Sequence, residues 1–351
     1  MKRVFAIAAG VAAAVSLSAS VANAAPTANS AVPITGQGSL YKEVKKPVDI
    51  SFTANITPGA GDTTLLPLME SKFTLPKDLA FVPDPKMPVC TEVNAGNSNF
   101  SGATAISLCP NSIVGDGTAN IMLAGQVAAL ITDPELTIFN GGVDSSGGGV
   151  LAIHAYSAST NAGIFMSGAI QNGTLDVLIP RLTADSATST FTLNIPGTQG
   201  QDKGYAEATC KTGTYTSSAT LTLGNRSSGG VVSNETSLTT DPTTTDCVGL
   251  AGKAKLSAKV KGPAKVKSGK KGTFKVTLKN TGTASAKSVK VKASGGGKGS
   301  ASGGTIKPGT SKTVKVKVKV TGKKGKKVTV KFKTTASGGV VANAKAKVKV
   351  G

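Results

Sequence analysis

The chain has 351 residues, with 40 Lys+Arg against 18 Asp+Glu and a formal net charge of +22. Residues 251–351 hold 28 lysines and no Asp, Glu, Arg or His, whereas residues 25–250 carry a net charge of −8. Gly, Ser and Thr are abundant, Trp is absent and strong helix formers other than Ala and Lys are scarce, which argues against a mainly helical protein. An excess of positive charge confined to one end favours polyanions as partners.

The first 24 residues have the pattern of a secretory signal. Lys2 and Arg3 precede an apolar run from Val4 to about Val15, and Ala22-Asn23-Ala24 is a small-residue cleavage site. We therefore predict a signal peptide over 1–24, a short linker over 25–34, and a mature protein that is secreted or non-covalently associated with the cell surface. An uncleaved N-terminal anchor is the alternative. No later run of about 18 apolar residues occurs, so no transmembrane segment is expected after signal cleavage.

Residues 35–250 are predicted to form a β-rich domain. Apolar and polar residues alternate over Val48–Ile56, Phe191–Ile195 and Ala219–Leu223, which is typical of strands with one buried face. Asn172-Gly173, between two apolar runs, predicts a two-residue hairpin turn. The sequence thus predicts an all-β protein whose first domain is β-sandwich-like.

Four cysteines, an even number in a predicted secreted protein, indicate two disulfides. Three pairings are possible, and the simplest joins Cys90 to Cys109 and Cys210 to Cys247. Loops of these lengths give stabilisations of roughly 3–4 kcal/mol each by chain entropy. All four cysteines precede residue 250, so the lysine-rich end has to fold without this help.

Residues 251–351 are predicted to form a lysine-rich, immunoglobulin-like sandwich. Short strands with turns between them are indicated at Ala254–Val260, Thr273–Leu278, Ser288–Ala293, Thr313–Val320, Val328–Thr334 and Ala342–Val350. The Gly-rich run 295–297 is interpreted as a flexible turn. In a predicted hairpin over Lys312–Lys333, valines take the inward parity and lysines the outward one. The predicted polyanion contacts are Lys315, Lys317, Lys319, Lys323, Lys324, Lys326, Lys327, Lys331 and Lys333.

This second domain resembles the CARDB and related conserved-repeat immunoglobulin-like domains of bacterial surface proteins. The resemblance is carried by Gly272–Gly282, a strand ending in Asn-x-Gly, by a second strand over Ala286–Val291, and by the turn Ile306–Gly309. It implies a spacer, display or adhesion-related module and almost nothing about a ligand.

The first domain resembles a group of secreted actinobacterial β-rich proteins of unassigned function. The matching residues are Phe73–Leu79, Cys109–Ala119, Asp176–Leu182 and the Cys210 to Cys247 closure. This resemblance implies paired cysteines in an all-β layout and no known activity.

Catalytic signatures are missing from the sequence. The one histidine, His154, lies on a predicted strand without a second His or a free Cys, which favours a packed or surface strand residue over a metal ligand. No Gly-x-Ser-x-Gly elbow and no phosphate-binding Gly-Lys-Ser/Thr loop occurs. The acidic loops lack the regular spacing of a calcium site. We therefore expect no enzymatic activity, cofactor or metal.

Two rival functions place a site in the first domain. A carboxylate-dependent hydrolase could use a pair such as Asp176 and Glu207 if they lay about 5–9.5 Å apart across a groove. A ligand-binding module would hold a small molecule between its loops.

The preferred prediction is a secreted, non-enzymatic structural or adhesive protein that is retained electrostatically on anionic envelope polymers. The alternative is that the lysines only prevent edge pairing and keep the domain soluble. Nucleic acid is not expected as a specific partner, because the lysine-rich end has only Phe274 and Phe332, both at inward parity, to stack on bases. The oligomeric state does not follow from the sequence.

Overall fold

The computed structural model describes residues 24–36, 40–82, 86–91, 100–181, 185–197 and 205–351. It is 61% strand and 4% helix, which confirms the all-β prediction. The predicted signal segment lies outside the described residues except for Ala24. In the described part of the chain, no helix has the length and apolar character needed to cross a membrane.

The elements of the first domain are short to medium strands and one short helix. The helix α1 spans Gly102–Leu108, and a 3-10 turn spans Leu123–Gly125. The strands described up to residue 250 are β1 Thr27–Ala31, β2 Ile34–Gly36, β3 Leu40–Tyr41, β4 Lys46–Thr57, β5 Leu68–Thr74, β6 Leu79–Phe81, β7 Ile113–Met122, β8 Leu130–Ile131, β9 Glu135–Val143, β10 Gly149–Ser157, β11 Ala162–Gln171, β12 Thr174–Leu178, β13 Ala187–Ile195, β14 Ala206–Ala208, β15 Thr214–Arg226, β16 Val232–Thr239, β17 Thr243–Asp246 and β18 Gly249–Leu250.

Most of these strands form one curled antiparallel sheet in the order β16-β15-β5-β12-β11-β10-β9-β7-β13-β4-β14-β6. The sheet folds back on itself, because Phe73 of β5 packs edge-on against Phe52 of β4 and Phe191 of β13, strands that are remote from β5 in this order. The ring centroids lie 5.3 and 5.9 Å apart. The two halves of the sheet therefore enclose a common core, as in a sandwich.

The predicted linker 25–34 is wrong, because most of it belongs to this sheet. Strand β1 pairs antiparallel with the C-terminal half of β4, from Thr27 opposite Thr57 to Ala31 opposite Thr53. The buried Ser30 hydroxyl lies 2.6 Å from the Thr240 hydroxyl, which ties β1 to the chain following β16. The segment was missed because Thr, Asn, Ser and Ala dominate it, without an apolar period.

Both predicted disulfides are present, Cys90 to Cys109 and Cys210 to Cys247. The first fastens α1 over the outer face of β9 and β10. There the two cysteines, Ala105, Phe139 and Ala152 form a small second core. Strand β10 is thus covered on both faces, which explains why apolar residues fill it without alternation. The predicted Asn172-Gly173 hairpin is also confirmed, with φ of 49° and 78°, as a type I′ turn requires.

The second domain contains β19 to β26 and a 3-10 turn at Ser337–Gly339. The strands are β19 Leu256–Lys261, β20 Lys265–Val266, β21 Lys271–Asn280, β22 Ala286–Gly295, β23 Gly297–Ile306, β24 Ser311–Val320, β25 Lys327–Thr335 and β26 Val341–Val350. They follow the order β19-β21-β24-β23-β22-β25-β26-β20. Phe274 of β21 and Phe332 of β25 meet with ring centroids 5.3 Å apart, so β19-β21-β24 packs against β22-β25-β26 as a sandwich.

All six strands predicted in this domain are present, and the Gly-rich run 295–297 lies where the chain turns from β22 into β23, as predicted. The predicted hairpin over Lys312–Lys333 was wrong, and strand β23 was not predicted. Residues 297–306 form β23, which joins the two sheets. A Cβ on Gly299 would lie 2.3 Å from the Lys317 carbonyl oxygen, and one on Gly297 2.6 Å from a Val318 methyl, so only glycine permits this approach. Strand β24 pairs with β21 and β23, whereas β25 pairs with β22 and β26, so β24 and β25 lie in opposite sheets.

The two domains have separate hydrophobic cores, and the predicted boundary at 250/251 falls between them. Strand β18 pairs in parallel with β3 immediately before this boundary. Across it, the exposed Glu43 carboxylate accepts hydrogen bonds from the backbone N–H and the hydroxyl of Ser285.

Candidate functional site

The lysines of the second domain are placed by strand periodicity. In β24, Lys315, Lys317 and Lys319 are exposed, while the valines between them are buried. The same alternation recurs in β21, β22, β25 and β26. Because successive side chains of a strand point to opposite faces, each sheet has an apolar inner face and a lysine-bearing outer face.

The first lysine face is the outer surface of β19-β21-β24. Lys275 lies at its centre, directly opposite Lys261 on one neighbouring strand and Lys315 on the other. Lys271 lies opposite Lys319. The exposed members of this face are Lys259, Lys261, Lys271, Lys275, Lys279, Lys315, Lys317 and Lys319.

The second lysine face is the outer surface of β22-β25-β26. Lys333 lies opposite Lys292. Lys345 lies opposite Lys331 on the adjacent pair of strands. The exposed members of this face are Lys290, Lys292, Lys327, Lys331, Lys333, Lys345, Lys347 and Lys349.

The predicted polyanion contacts therefore do not form one patch. Lys315, Lys317 and Lys319 belong to the first face, and Lys327, Lys331 and Lys333 belong to the second. Lys323, Lys324 and Lys326 lie in the exposed turn that connects β24 to β25. The prediction missed the lysines that adjacent strands contribute to each face. Which residues lie opposite each other on neighbouring strands depends on the order of the strands in the sheet, and the sequence does not contain this order.

The electrostatics of both faces are repulsive. Lysines directly opposite each other on neighbouring strands destabilise a sheet, and the second domain has no carboxylate to offset them. In the described part of the chain, all four ion pairs lie in the first domain. The arrangement can attract a polymer of negative charges, because bound anions would lower the repulsion on each face.

An apolar cavity of about 60 Å³ lies between the two halves of the first domain. Next to the packed rings of Phe73 and Phe191, several residues that point into the core have small side chains, among them Ser71, Ala119 and Ala155. The cavity reaches the surface at the exposed Pro180. Its other lining residues are Leu68, Ile121, Leu136, Ile153, Ile164, Met166, Val177, Ile179, Ser186, Thr188 and Leu193. A lining without charged groups suits an aliphatic ligand.

A nearly buried ion pair fixes the chain beside this opening. Arg226 Nη2 lies 3.0 Å from Asp185 Oδ1, and the Arg226 backbone N–H donates to Asp185 Oδ2 at 3.1 Å. Nη1 of the same arginine donates to the Ile179 carbonyl oxygen. The pair joins the ends of β12 and β15 to the start of β13.

Residues 253–345 match the CARDB family. The resemblance of the second domain is thereby confirmed, whereas the resemblance of the first domain to secreted actinobacterial proteins stays a prediction. No curated protein matches the sequence. Among solved structures, a red sea bream transglutaminase aligns with 92% of this chain at 9% identity and a TM-score of 0.24, which is too low to support any argument. The alignment covers 31% of the length of that structure.

The carboxylate pair considered for a hydrolase does not form a site. Asp176 of β12 and Glu207 of β14 each alternate with buried neighbours, so both point away from the core. Six strands separate β12 from β14 in the sheet. Asp176 instead lies 3.4 Å from the Lys72 ammonium. It also neighbours Glu70, whose pKa lies above its ordinary value because of burial and the adjacent Asp176 carboxyl.

His154 is a strand residue, as predicted, and of the packed and surface positions left open the structure shows the packed one, with His154 1% exposed on β10. Its ring lies 4.5 Å from that of Phe165, and Nε2 has no hydrogen-bond partner among the described residues. Burial lowers the pKa of His154, and the backbone carbonyl of Phe100 acts in the opposite direction as a hydrogen-bond partner. In the described residues, no group of three or more His, Cys, Asp or Glu side chains is arranged to hold a metal.

Proposed function

We propose that this is a secreted, non-enzymatic structural or adhesive protein of the cell envelope. In this proposal, the CARDB domain retains the protein on anionic envelope polymers, such as phosphate- or uronate-bearing glycans. The observation that carries the proposal is the presence of two lysine faces in a domain without a single carboxylate side chain. The CARDB match agrees with a surface or adhesion-type module.

The placement of the lysines shows that protection of edge strands is not their only role. Lysines that only block edge pairing are needed on edge strands. Here Lys275 lies on β21 and Lys331 and Lys333 lie on β25, and each of these strands has paired neighbours on both sides. Lysines concentrated on central strands cost stability through cross-strand repulsion, and a polyanion partner offsets that cost.

A salt series on the full chain tests the proposal. The probes are a purified glycerol-phosphate teichoic acid and polygalacturonate, with neutral dextran as the control polymer. We expect binding at low salt that weakens steeply between about 50 and 200 mM salt, since each phosphate contact releases counterions. A matched variant with Lys275, Lys315, Lys331 and Lys345 changed to Gln should bind more weakly and with a shallower salt slope. Absence of binding at about 50 mM salt would overturn the proposal.

The apolar cavity favours a second candidate function, a ligand-binding module in the first domain. The ligand class is an aliphatic chain whose end enters between β7, β10 and β13, where Ala119, Ala155 and Phe191 line the space. The volume of about 60 Å³ is several times the space needed by one water molecule, so it admits the end of a chain and not a whole lipid.

A fluorescent fatty acid binding assay tests this second candidate. Ala155→Leu fills the cavity and should weaken binding by about tenfold, the effect of excluding two methylenes at ~0.8 kcal/mol each. Ala344→Leu, a half-buried site of the second domain, is the matched control. Equal binding by the wild type and Ala155→Leu would rule out the cavity as the binding site.

A further inference from the structure

We propose that the second domain carries two independent polyanion sites and thereby bridges two polymer chains. This inference rests on the proposed function and adds to it the number of polymer chains that one domain binds. The observation behind it is that β24 and β25, adjacent in sequence, lie in opposite sheets of the sandwich. The two lysine faces consequently point in opposite directions.

The contact between Phe274 and Phe332 fixes this orientation. Both rings are buried, and they meet at a centroid distance of 5.3 Å between the two sheets. Lys275 and Lys331, each one residue along the strand from one of these rings, therefore point outward on opposite sides. Packed sheets lie ~10 Å apart, and the lysines extend further outward from both. Ammonium groups at the centres of the two faces are thus separated by more than the ~8 Å Debye length of physiological salt.

Within one face the charges are close enough to act together. Lysines opposite each other on adjacent strands are separated by about 5 Å between backbones, and same-face neighbours along a strand by about 6.6–6.8 Å. Both spacings are shorter than the Debye length. Each face is therefore one multivalent site, and the centres of the two faces act on a bound polymer independently of each other.

The strand between the faces interrupts the positive surface on one side. Strand β23 joins the two sheets, and Lys298 is the single lysine among its ten residues. Lysines continue from one face to the other at two places, the β24–β25 turn with Lys323, Lys324 and Lys326, and the edge at which β19 contacts β26. One polymer wrapping around this turn is the physical alternative to two polymers held on two faces.

A two-polymer capture experiment on the full chain separates these arrangements. Biotinylated teichoic acid is immobilised, the protein is added, free protein is removed, and teichoic acid carrying a fluorescent label is then supplied. The wild type should recruit the labelled polymer. Binding of the protein to the first polymer is measured separately in the same wells, so that failure of the proposed function and failure of bridging are distinguished.

Three variants of equal charge make the test specific. The first-face variant changes Lys261, Lys275, Lys315 and Lys319 to Gln, and the second-face variant changes Lys292, Lys331, Lys333 and Lys345 to Gln. The distributed variant changes Lys275, Lys315, Lys331 and Lys345 to Gln, two on each face. We expect each single-face variant to bind the immobilised polymer but to recruit at least about tenfold less labelled polymer. The distributed variant should recruit more than either.

Three results would overturn the inference. Binding of the wild type without recruitment would leave the proposed function intact and remove the bridging. Complete loss of binding in both single-face variants would mean that the faces form one wrapped site. Recruitment by the single-face variants at the wild-type level would place the second contact elsewhere, for example in a second copy of the chain. Absence of any wild-type binding would instead overturn the proposed function itself.

Discussion

Replacing Lys275 with Glu should stabilise the second domain. Lys275 lies directly opposite Lys261 and Lys315, so the substitution turns two like-charge cross-strand contacts into two opposite-charge contacts. Each such contact contributes ~0.2–1 kcal/mol. We therefore expect the free energy of unfolding to rise by about 1 kcal/mol, which corresponds to an increase in Tm of about 4–8 °C for a domain of this size.

The matched control is Lys279→Glu. Lys279 is exposed on the same strand and the same face, but its cross-strand partners are Ser257 and Ser311. Both substitutions change the net charge equally, so long-range repulsion falls by a similar amount in each. The difference in Tm between the two variants isolates the local pairs.

Thermal unfolding of the full chain can resolve the second domain. All four tyrosines precede residue 251 and the protein has no Trp, so tyrosine fluorescence reports only the first domain. Circular dichroism of the strands reports both domains, and a transition that is silent in tyrosine fluorescence belongs to the second. At about 1 M salt, where the Debye length is ~3 Å, the advantage of Lys275→Glu over Lys279→Glu should nearly vanish. Equal Tm values for the two variants at low salt would refute the reasoning.

Three further predictions concern the first domain. Changing Cys210 and Cys247 to Ser opens a loop with a sequence separation of 37 and should lower the free energy of unfolding by about 4 kcal/mol. The tyrosine-detected transition should shift, while the transition of the cysteine-free second domain stays in place. Burial lowers the pKa of His154, so the imidazole becomes protonated at a higher pH in the unfolded chain than in the folded protein. The stability contributed by the neutral ring is complete above a pH of about 6.5 and is lost below it, at up to ~1.4 kcal/mol per pH unit. The free energy of unfolding, measured in urea between about pH 7.5 and 5.5, should fall with this slope. The slope should be smaller in His154→Phe, and an unchanged slope in that variant would show that other groups cause it. Arg226→Met removes the shorter of the two ion pairs of Asp185 and leaves Arg181 at 4.0 Å, so the cost in urea unfolding should reach at most about 3–5 kcal/mol, and adding Asp185→Leu should restore much of the loss. A loss below about 1 kcal/mol in the single variant would show that water or Arg181 compensates the Asp185 charge.

Local pattern predicted the strands that have an apolar face. The alternation over Val48–Ile56 gave the buried face of β4, and the valines of β24 gave its inner face. The pattern failed for β1 and β23, whose residues are small or polar. These two segments are strands because they pair with neighbours: β1 pairs with β4, and β23 pairs with β22 and β24. Backbone pairing, and not the burial of apolar side chains, holds them in place.

The candidate sites were predictable to different degrees. The zero count of carboxylates and the outward parity of the lysines follow directly from the sequence. The apolar cavity does not, because Ser71, Ala119 and Ala155 lie far apart in the chain and only the curled sheet brings them together. The Asp176 and Glu207 pair failed for the same reason, since a sequence contains no distance between strands.

The residue pattern of the chain was enough to predict the all-β class, the paired cysteines, the separation of charge between two regions, and the side of each strand on which a lysine lies. These properties are local, because side-chain parity along a strand has a fixed period of two. The placement of β24 and β25 in opposite sheets, which gives the lysines two faces, is a property of the folded domain and not of any local pattern. Parity fixes which way a side chain points from its own strand, whereas the packing of Phe274 against Phe332 decides which strands share a sheet and which lie across the core.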